Sequence, residues 1–193
     1  MLDVIEPDEA YRDLDLSEMS LTHRELDGCT FSGCSFANAD LTGSRLNDAS
    51  FDACDFSGAR IRGANLFAAS FEQCKLLGVD FRDQVILTAA SFKQCSFNYT
   101  LFRGVSLSKM IFDRCSFIEA DLSIANLERA TFRSCDLTGV DITETRFFQT
   151  DLRGSNLTGW NLKAHNLAGI IIGADQLEYL ATELGIQVVD GSN

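Results

Sequence analysis

A large apolar residue returns every five positions along most of the chain. From Leu16 to Ile172 this position, here called the centre, is always Leu, Phe or Ile and occurs 32 times. The interval is interrupted once, by a one-residue slip between Ile86 and Phe92. A period of five fits neither an α-helix, with 3.6 residues per turn, nor a strand, whose side chains alternate with a period of two. The pattern therefore predicts an internal repeat.

A second interval of 20 residues, or 21 across the slip, indicates how the pentapeptides are grouped. The position two residues before a centre, here called the small slot, holds all seven cysteines, starting with Cys29. Residues that recur at the longer interval are the phenylalanines Phe31, Phe51, Phe71, Phe92, Phe112 and Phe132 and the cysteines Cys34, Cys54, Cys74, Cys95, Cys115 and Cys135. Four pentapeptides per coil would stack each set into a column. The slip within residues 82–91 is then either a bulge or a small protruding functional loop.

Several pentapeptides carry the motif A(D/N)Lxx or a close variant. They are ANADL (37–41), GANLF (63–67), EADLS (119–123), RGSNL (153–157) and HNLAG (165–169). On these residues the chain resembles the pentapeptide-repeat family, whose fold is a right-handed quadrilateral β-helix. The resemblance implies an all-β solenoid over residues 14–172, with about eight coils and a length of roughly 38 Å at about 4.8 Å per coil.

Both ends of a solenoid need capping, because otherwise they expose core residues and unpaired strand edges. Residues 1–13 are polar and acidic and are predicted to form an irregular N-terminal cap. Residues 173–193 are predicted to hold an amphipathic helix, with Asp175 as its N-cap and Gly185 as its stop, followed by IQVV as a short strand.

The apolar residues near the C-terminus fit either a monomeric cap or a tail-to-tail homodimer. We favour the homodimer, because a twofold contact uses the same patch on both chains. The predicted dimer-interface residues are Trp160, Ile170, Ile171, Ile172, Leu177, Leu180, Ala181, Leu184, Ile186 and Val188.

Composition and charge restrict the class of protein. A chain of 193 residues with 46% apolar content is expected to form one domain. The acidic start argues against a secretion signal, and the lack of a long apolar run argues against a membrane span. We therefore expect a cytoplasmic protein. The net charge of −12 argues against nucleic-acid binding through a basic face. This charge lies at the ends: −7 over residues 1–28, −1 over residues 29–172 and −4 over residues 173–193.

Motifs for catalysis, metal binding or cofactor binding are not found in the sequence. The cysteines lack the C-x-x-C spacing of zinc and redox sites, and we expect them to be reduced and buried like alanines. The two histidines, His23 and His165, lie at opposite ends, and His165 is predicted to be a packed structural residue. Phosphate-binding loops and hydrolase signatures are lacking as well. We therefore predict a protein without enzymatic activity, metal or cofactor.

The C-terminal segment narrows the resemblance. Its pattern comprises Leu167, Gly169, Ile171, Gln176, Leu177, Leu180, Leu184, Gly185, Ile186 and Val188. This segment is similar to the ends of the Qnr and MfpA quinolone-resistance proteins, and the regular repeat is closer to the loop-free MfpA type. The resemblance implies a dimeric DNA mimic that binds DNA gyrase or topoisomerase IV and protects it from quinolones or a gyrase-directed toxin. The alternative is a structural interaction rod with a non-topoisomerase partner. The candidate acidic partner-binding face consists of Asp40, Asp80, Asp83, Asp121, Asp141 and Glu144.

Overall fold

The pentapeptides build nine short parallel strands that follow one another in chain order within a single sheet. The structure is a computed structural model and describes residues 5–188. The strands are β1 Ala10–Arg12, β2 Thr30–Ser32, β3 Ser50–Asp52, β4 Ser70–Glu72, β5 Ser91–Lys93, β6 Ile111–Asp113, β7 Thr131–Arg133, β8 Thr150–Asp151 and β9 Ile170–Ile171. Each strand pairs with its equivalent one coil later, as Phe51 does with Phe71. The fold is the predicted parallel β-solenoid of about eight coils.

Each coil has four faces, numbered here from the centres of the first coil. Leu16, Leu21, Leu26 and Phe31 lie on faces 1, 2, 3 and 4, and every later centre falls on one of these faces. The nine strands all belong to face 4. The other three faces pair through single parallel bridges between successive coils, such as Asp15↔Ser35 on face 1, Ser20↔Asp40 on face 2 and Glu25↔Arg45 on face 3.

The centres form the core, as predicted. Every predicted centre from Leu16 to Leu162 is buried except Ile86. On face 4 the six phenylalanines stack in one column, with ring centroids between 4.7 and 5.7 Å apart. Tyr11 of β1 extends this column by stacking on Phe31 at 5.3 Å. Regular structure therefore begins at Ala10, whereas the prediction had an irregular cap over residues 1–13. Residues 1–4 of that cap lie outside the described residues.

Tight turns at the corners explain the five-residue period. On faces 1 to 3 the carbonyl oxygen of the centre usually accepts a hydrogen bond from the N–H three residues later, as Leu41 does from Ser44 at 3.0 Å. The residue two after the centre has a positive φ, the geometry of a type II turn. Glycine suits this position, but 21 residues other than glycine also adopt positive φ in the described chain.

The corner after the phenylalanine column is built differently. Within the described residues, no N–H three positions later donates to these phenylalanine carbonyls. Instead, each of these carbonyl oxygens accepts a hydrogen bond from the small-slot side chain one coil later. Cys54 Sγ, for example, lies 3.5 Å from the carbonyl oxygen of Phe31. Ser155 takes the same role for Phe132 at 2.9 Å. All seven cysteines are buried and free, and burial raises the pKa of Cys34. Their thiols are therefore hydrogen-bond donors as well as the predicted small core residues.

The slip lies one turn earlier than the sequence pattern suggested. Leu87, not Ile86, is the buried centre, and Ile86 is 44% exposed and pairs with Asn65 at the outward position before the centre. The extra residue is accommodated in a three-residue turn, 82–84, in which Gln84 takes the positive φ. Of the two interpretations that were open, the structure supports a local insertion in a turn rather than a protruding loop.

A short helix covers the C-terminal coil. A 3-10 turn at Ala174–Gln176 leads into helix α1, Leu177–Glu183. Asp175 is therefore not the N-cap, because Gly173 precedes the 3-10 turn and Asp175 lies inside it. Gly185 ends the helix as predicted, with φ +80° and its N–H donating to the carbonyl oxygen of Thr182. Residues 186–188 form no strand, contrary to the prediction for IQVV, whose last residue lies outside the described residues.

Buried polar groups join the helix to the last coil. The side-chain amide of Gln176 donates to the carbonyl oxygens of Leu152 and Ser155 at 2.9 and 2.7 Å and accepts from the N–H of Gly173 at 2.8 Å. The hydroxyl of Tyr179 donates to the carbonyl oxygen of Leu157 at 3.0 Å. At Leu152 and Leu157 these side chains act as small-slot side chains do elsewhere, as Thr150 Oγ1 does for the carbonyl oxygen of Leu127. At Ser155, Gln176 replaces the backbone N–H of a further coil.

Candidate interaction surfaces

The residue before a centre is often Asp or Asn because its side chain closes a local hydrogen-bonded ring across the centre. Asp141 Oδ1 accepts a hydrogen bond from the N–H of Thr143 at 2.9 Å, and Asp80 Oδ1 accepts from the N–H of Arg82 at 3.0 Å. Asn65 makes the equivalent contact to the N–H of Phe67 at 3.1 Å. These Asx turns hold the side chains in fixed positions on the outside of the rod. The acidic residues of the repeat therefore have a structural function beside any role in recognition.

Four of the six candidate acidic residues occupy equivalent positions on face 2. Asp40, Asp80, Asp121 and Asp141 all lie immediately before a centre, and bridges connect Asp121 to Asp141 and, through Leu101, to Asp80. Asp83 and Glu144 lie at the following corner, after the same centres. The six predicted acidic residues therefore lie along face 2 and along the corner that follows it.

Ion pairs neutralise the N-terminal half of this column. Asp40 Oδ2 lies 3.0 Å from Arg60 Nη2, and Asp80 binds the guanidinium of Arg82 through both carboxylate oxygens. Asp83 lies 3.9 Å from Arg62 Nε. These pairs are largely exposed, so they add little to stability, but they reduce the negative potential along this part of the rod.

The C-terminal half of face 2 keeps its negative charge. Asp121, Asp141 and Glu144 form no ion pair within residues 5–188. The hydroxyl and backbone N–H of Thr143 hold the pKa of Asp141 below its usual range, and the nearby charge of His165 contributes less. His165 and Glu144 line a surface cleft of about 470 Å³ between the last two coils. This carboxylate cluster lies next to the C-terminal helix, and the charge of Arg103 on the same face also acts on Asp141.

The predicted dimer residues divide into two groups. Trp160 is only 2% exposed and donates through Nε1 to the carbonyl oxygen of Leu137 at 2.9 Å, and Leu180 is also buried within the chain. These two side chains therefore have little surface to offer a second copy. Ile170, Ile172 and Ala181 are half-buried. The exposed members are Ile171, Leu177, Leu184, Ile186 and Val188.

A metal-binding cluster does not appear in the described part of the chain. No group of three or more His, Cys, Asp or Glu side chains in residues 5–188 is arranged to hold a metal ion. The helical segments of the same residues are also too short and too polar to cross a bilayer.

One surface feature was not predicted from the sequence. Ile86 and Ile111 are exposed on faces 3 and 4, beside a groove between two successive coils. Both occupy the outward position before a centre, where polar residues predominate. That exception to the repeat is the sequence signal that could have indicated the groove.

Solved structures of another protein share this fold. Two trypsin-treated variants of QnrB1, a plasmid-mediated fluoroquinolone resistance protein, are each 21% identical in sequence and superimpose with TM-scores of 0.79 and 0.80. The alignments cover 96% and 95% of this chain and 98% and 99% of the variants. Full-length QnrB1, at 22% identity, gives a TM-score of 0.51 over 92% of this chain and all of QnrB1. At this level of identity the likeness establishes the fold.

Sequence comparison identifies the family. No curated protein matches the chain. The model of the pentapeptide repeat region matches three overlapping segments, residues 10–81, 64–142 and 85–162. Together these segments extend from residue 10 to residue 162, so that only part of the last coil lies outside them. The chain is a member of the pentapeptide repeat family.

Proposed function

We propose that this protein is a non-enzymatic cytoplasmic DNA mimic that binds DNA gyrase or topoisomerase IV and protects it from quinolones or a gyrase-directed toxin. The observation that carries the proposal is the carboxylate cluster of Asp121, Asp141 and Glu144, held on a rigid rod next to the acidic C-terminal segment. The overall likeness to QnrB1, a fluoroquinolone resistance protein, supports the same class of function.

The distribution of charge indicates which part of the rod would imitate DNA. Duplex DNA carries about one negative charge per 1.7 Å of its axis. Residues 29–172 carry a net charge of only −1, so the rod as a whole does not reach this density. A tail-to-tail homodimer would place two copies of the carboxylate cluster and two C-terminal segments, each of charge −4, near its centre. In this proposal the topoisomerase therefore contacts the middle of the dimer.

A supercoiling assay tests the proposal. Purified gyrase is inhibited with a fluoroquinolone, and the full-length protein is added over a concentration series, with topoisomerase IV decatenation in parallel. We expect recovery of supercoiling or decatenation in the presence of the drug, and direct binding to at least one of the two enzymes by surface plasmon resonance. Absence of both binding and protection for both enzymes would exclude this function.

The near neutrality of the body favours a second candidate function. Ten ion pairs occur on the described surface, and much of the rod therefore resembles an ordinary protein surface. In that case the protein is a structural interaction rod with a non-topoisomerase partner. Affinity capture from the native cell separates the two candidates, because only the first predicts that a topoisomerase subunit is recovered.

A further inference from the structure

Two successive coils separate on face 3, directly after the three-residue turn 82–84. In the coils before and after this point a centre N–H on face 3 donates to the next coil, as Leu66 does to Ile86 at 2.9 Å and Leu107 does to Asn126 at 2.9 Å. Within residues 5–188 the same pairing is also missing at Phe147, next to the last coil. Between the coils centred on Leu87 and Leu107 this ladder is interrupted. The N–H groups of Leu87, Ala89 and Ser106 have no hydrogen-bond partner among the described residues.

The interruption opens a groove with an apolar lining. Its volume is about 820 Å³, and one side consists of residues 85–91 and the other of residues 105–111. Ile86 is 44% exposed and Ile111 is 57% exposed, while Val85, Val105 and Met110 are half-buried along the groove. Unpaired backbone N–H groups and exposed β-branched side chains together are the features of an edge that accepts an added strand.

The rim of the groove is basic, although the whole chain is acidic. Lys109 lines the groove, and Arg129 takes the same corner position one coil later. Within residues 5–188 neither of these two side chains forms an ion pair with a carboxylate, and Arg129 Nε instead donates to Gln149 Oε1 at 3.1 Å. A ligand at this place therefore meets positive charge, in contrast to the carboxylate cluster of face 2.

From these features we infer that the groove binds an extended segment of a partner protein that alternates apolar residues with acidic ones. Its backbone pairs with the free N–H groups of Leu87, Ala89 and Ser106. Its apolar side chains contact Ile86 and Ile111, and its carboxylates face Lys109 and Arg129. Charge complementarity selects an acidic segment, and the apolar lining distinguishes it from a nucleic acid. The inference does not depend on a topoisomerase being the partner.

Selection from a phage-displayed library of random octapeptides on the full-length protein tests the inference. We expect the enriched peptides to alternate β-branched or aromatic residues with Asp or Glu. Ile111→Asp and Lys109→Glu should each weaken their binding by about tenfold or more. The matched controls Tyr99→Asp and Lys163→Glu change an exposed apolar and a basic residue on other faces and should leave binding within about twofold. Circular dichroism verifies that each variant is folded.

Amide hydrogen exchange supplies an independent measurement on the same protein. In the free protein Leu87 and Ala89 should exchange at least about ten times faster than Leu107 and Lys109, whose N–H groups are paired. An enriched peptide should slow exchange at Leu87 and Ala89 and leave Leu107 unchanged.

Several results would overturn the inference. One is a selection that enriches no motif. Another is a set of peptides that bind the Ile111→Asp variant as tightly as they bind the wild type. If a fluorescein-labelled single-stranded 20-mer DNA binds and loses affinity only in Lys109→Glu, the site is a general polyanion surface instead. If self-association of the protein is lost in Ile111→Asp but kept in Leu184→Asp, the groove is an interface between copies.

Discussion

Gln176 Nε2 donates a hydrogen bond to the carbonyl oxygen of Leu152 at 2.9 Å, so that a side chain of the C-terminal segment takes the place of the small-slot side chain of a further coil. Gln176 is buried, and all of its polar atoms are satisfied. We expect Gln176→Ala to lower the free energy of unfolding by about 1 to 3 kcal/mol, because the buried carbonyl oxygen of Ser155 loses its donor, whereas that of Leu152 keeps the N–H of Ser155. Urea denaturation measures the change. The exposed control Gln187→Ala should stay within about 0.5 kcal/mol of the wild type, and equal losses in both variants would contradict this account.

The phenylalanine column should dominate the stability of the rod. Phe71 is 3% exposed and stacks on rings both below and above it, whereas Phe67, only four residues earlier, is 45% exposed. We expect Phe71→Ala to cost about 3 to 5 kcal/mol through lost burial and the cavity that remains. Phe67→Ala should cost less than about 1 kcal/mol. If thermal or urea unfolding gave similar losses for both, the column would not be the main source of stability.

The Asx turns should make the fold sensitive to acid. The hydroxyl and backbone N–H of Thr42, with a smaller contribution from Arg60, hold the pKa of Asp40 below its usual range. A carboxyl group whose pKa is lower in the folded state stabilises the fold above its unfolded pKa, and this contribution is lost as the pH falls through the folded value. Melting temperature should therefore decrease between about pH 5 and pH 2.

Asp40→Asn provides the matched variant for the acid effect. An Asn side chain still accepts the backbone N–H, as Asn65 does, but does not titrate. We expect a smaller loss of melting temperature in this variant than in the wild type over the same pH range. Parallel curves for the two proteins would show that Asp40 does not contribute to the acid sensitivity.

Neutralising the carboxylate cluster should weaken topoisomerase binding without unfolding the rod. The variant carries Asp121→Asn, Asp141→Asn and Glu144→Gln, which preserve the Asx turns and remove three charges. We expect about tenfold weaker binding and a smaller dependence of affinity on salt. The control variant carries Asp15→Asn, Asp136→Asn and Glu119→Gln, which change the same kinds of position on face 1. If both variants lost affinity equally, overall charge rather than face 2 would be responsible.

The C-terminal helix should form the dimer contact. Leu177, at the start of α1, is 54% exposed, and Leu184, at its C-cap, is 46% exposed. Together they form an apolar surface that has no partner in the described chain. We expect the wild type to be a dimer by light scattering and Leu177→Asp with Leu184→Asp to be a monomer, because buried charge is costly at an interface. The control Leu77→Asp on face 1 should remain a dimer. A monomeric wild type at micromolar concentration would favour the monomeric cap.

Much of the fold follows from the sequence because each position of the pentapeptide has one physical role. The period of five, the interval of 20 and the Phe and Cys columns all predicted contacts that the structure contains. The slip was placed one turn too late because Val85, Ile86 and Leu87 are all apolar, and the pattern alone does not determine which of them points inward.

The surfaces were harder to predict than the core. The acidic column on face 2 could be assembled from spacing, but its division into a neutralised half and a charged half depends on side-chain geometry. Trp160 looked like an interface residue because its size is unusual for a small slot, yet it fills space inside the terminal coils. The groove beside Ile111 results from missing backbone pairing, and its sign in the sequence is the pair of apolar residues, Ile86 and Ile111, at outward positions.

The corner position with positive φ accepts many kinds of side chain in this chain. Twenty-one of these positions hold residues as different as His23, Tyr99 and Lys109, so the turn tolerates many side chains at a cost of about 1 kcal/mol each relative to glycine. The corners therefore form rows of display positions, about 4.8 Å apart, whose chemistry can change while the spacing stays constant. A solenoid of this kind can acquire a new binding partner by exchanging corner residues alone, with its core columns unaltered.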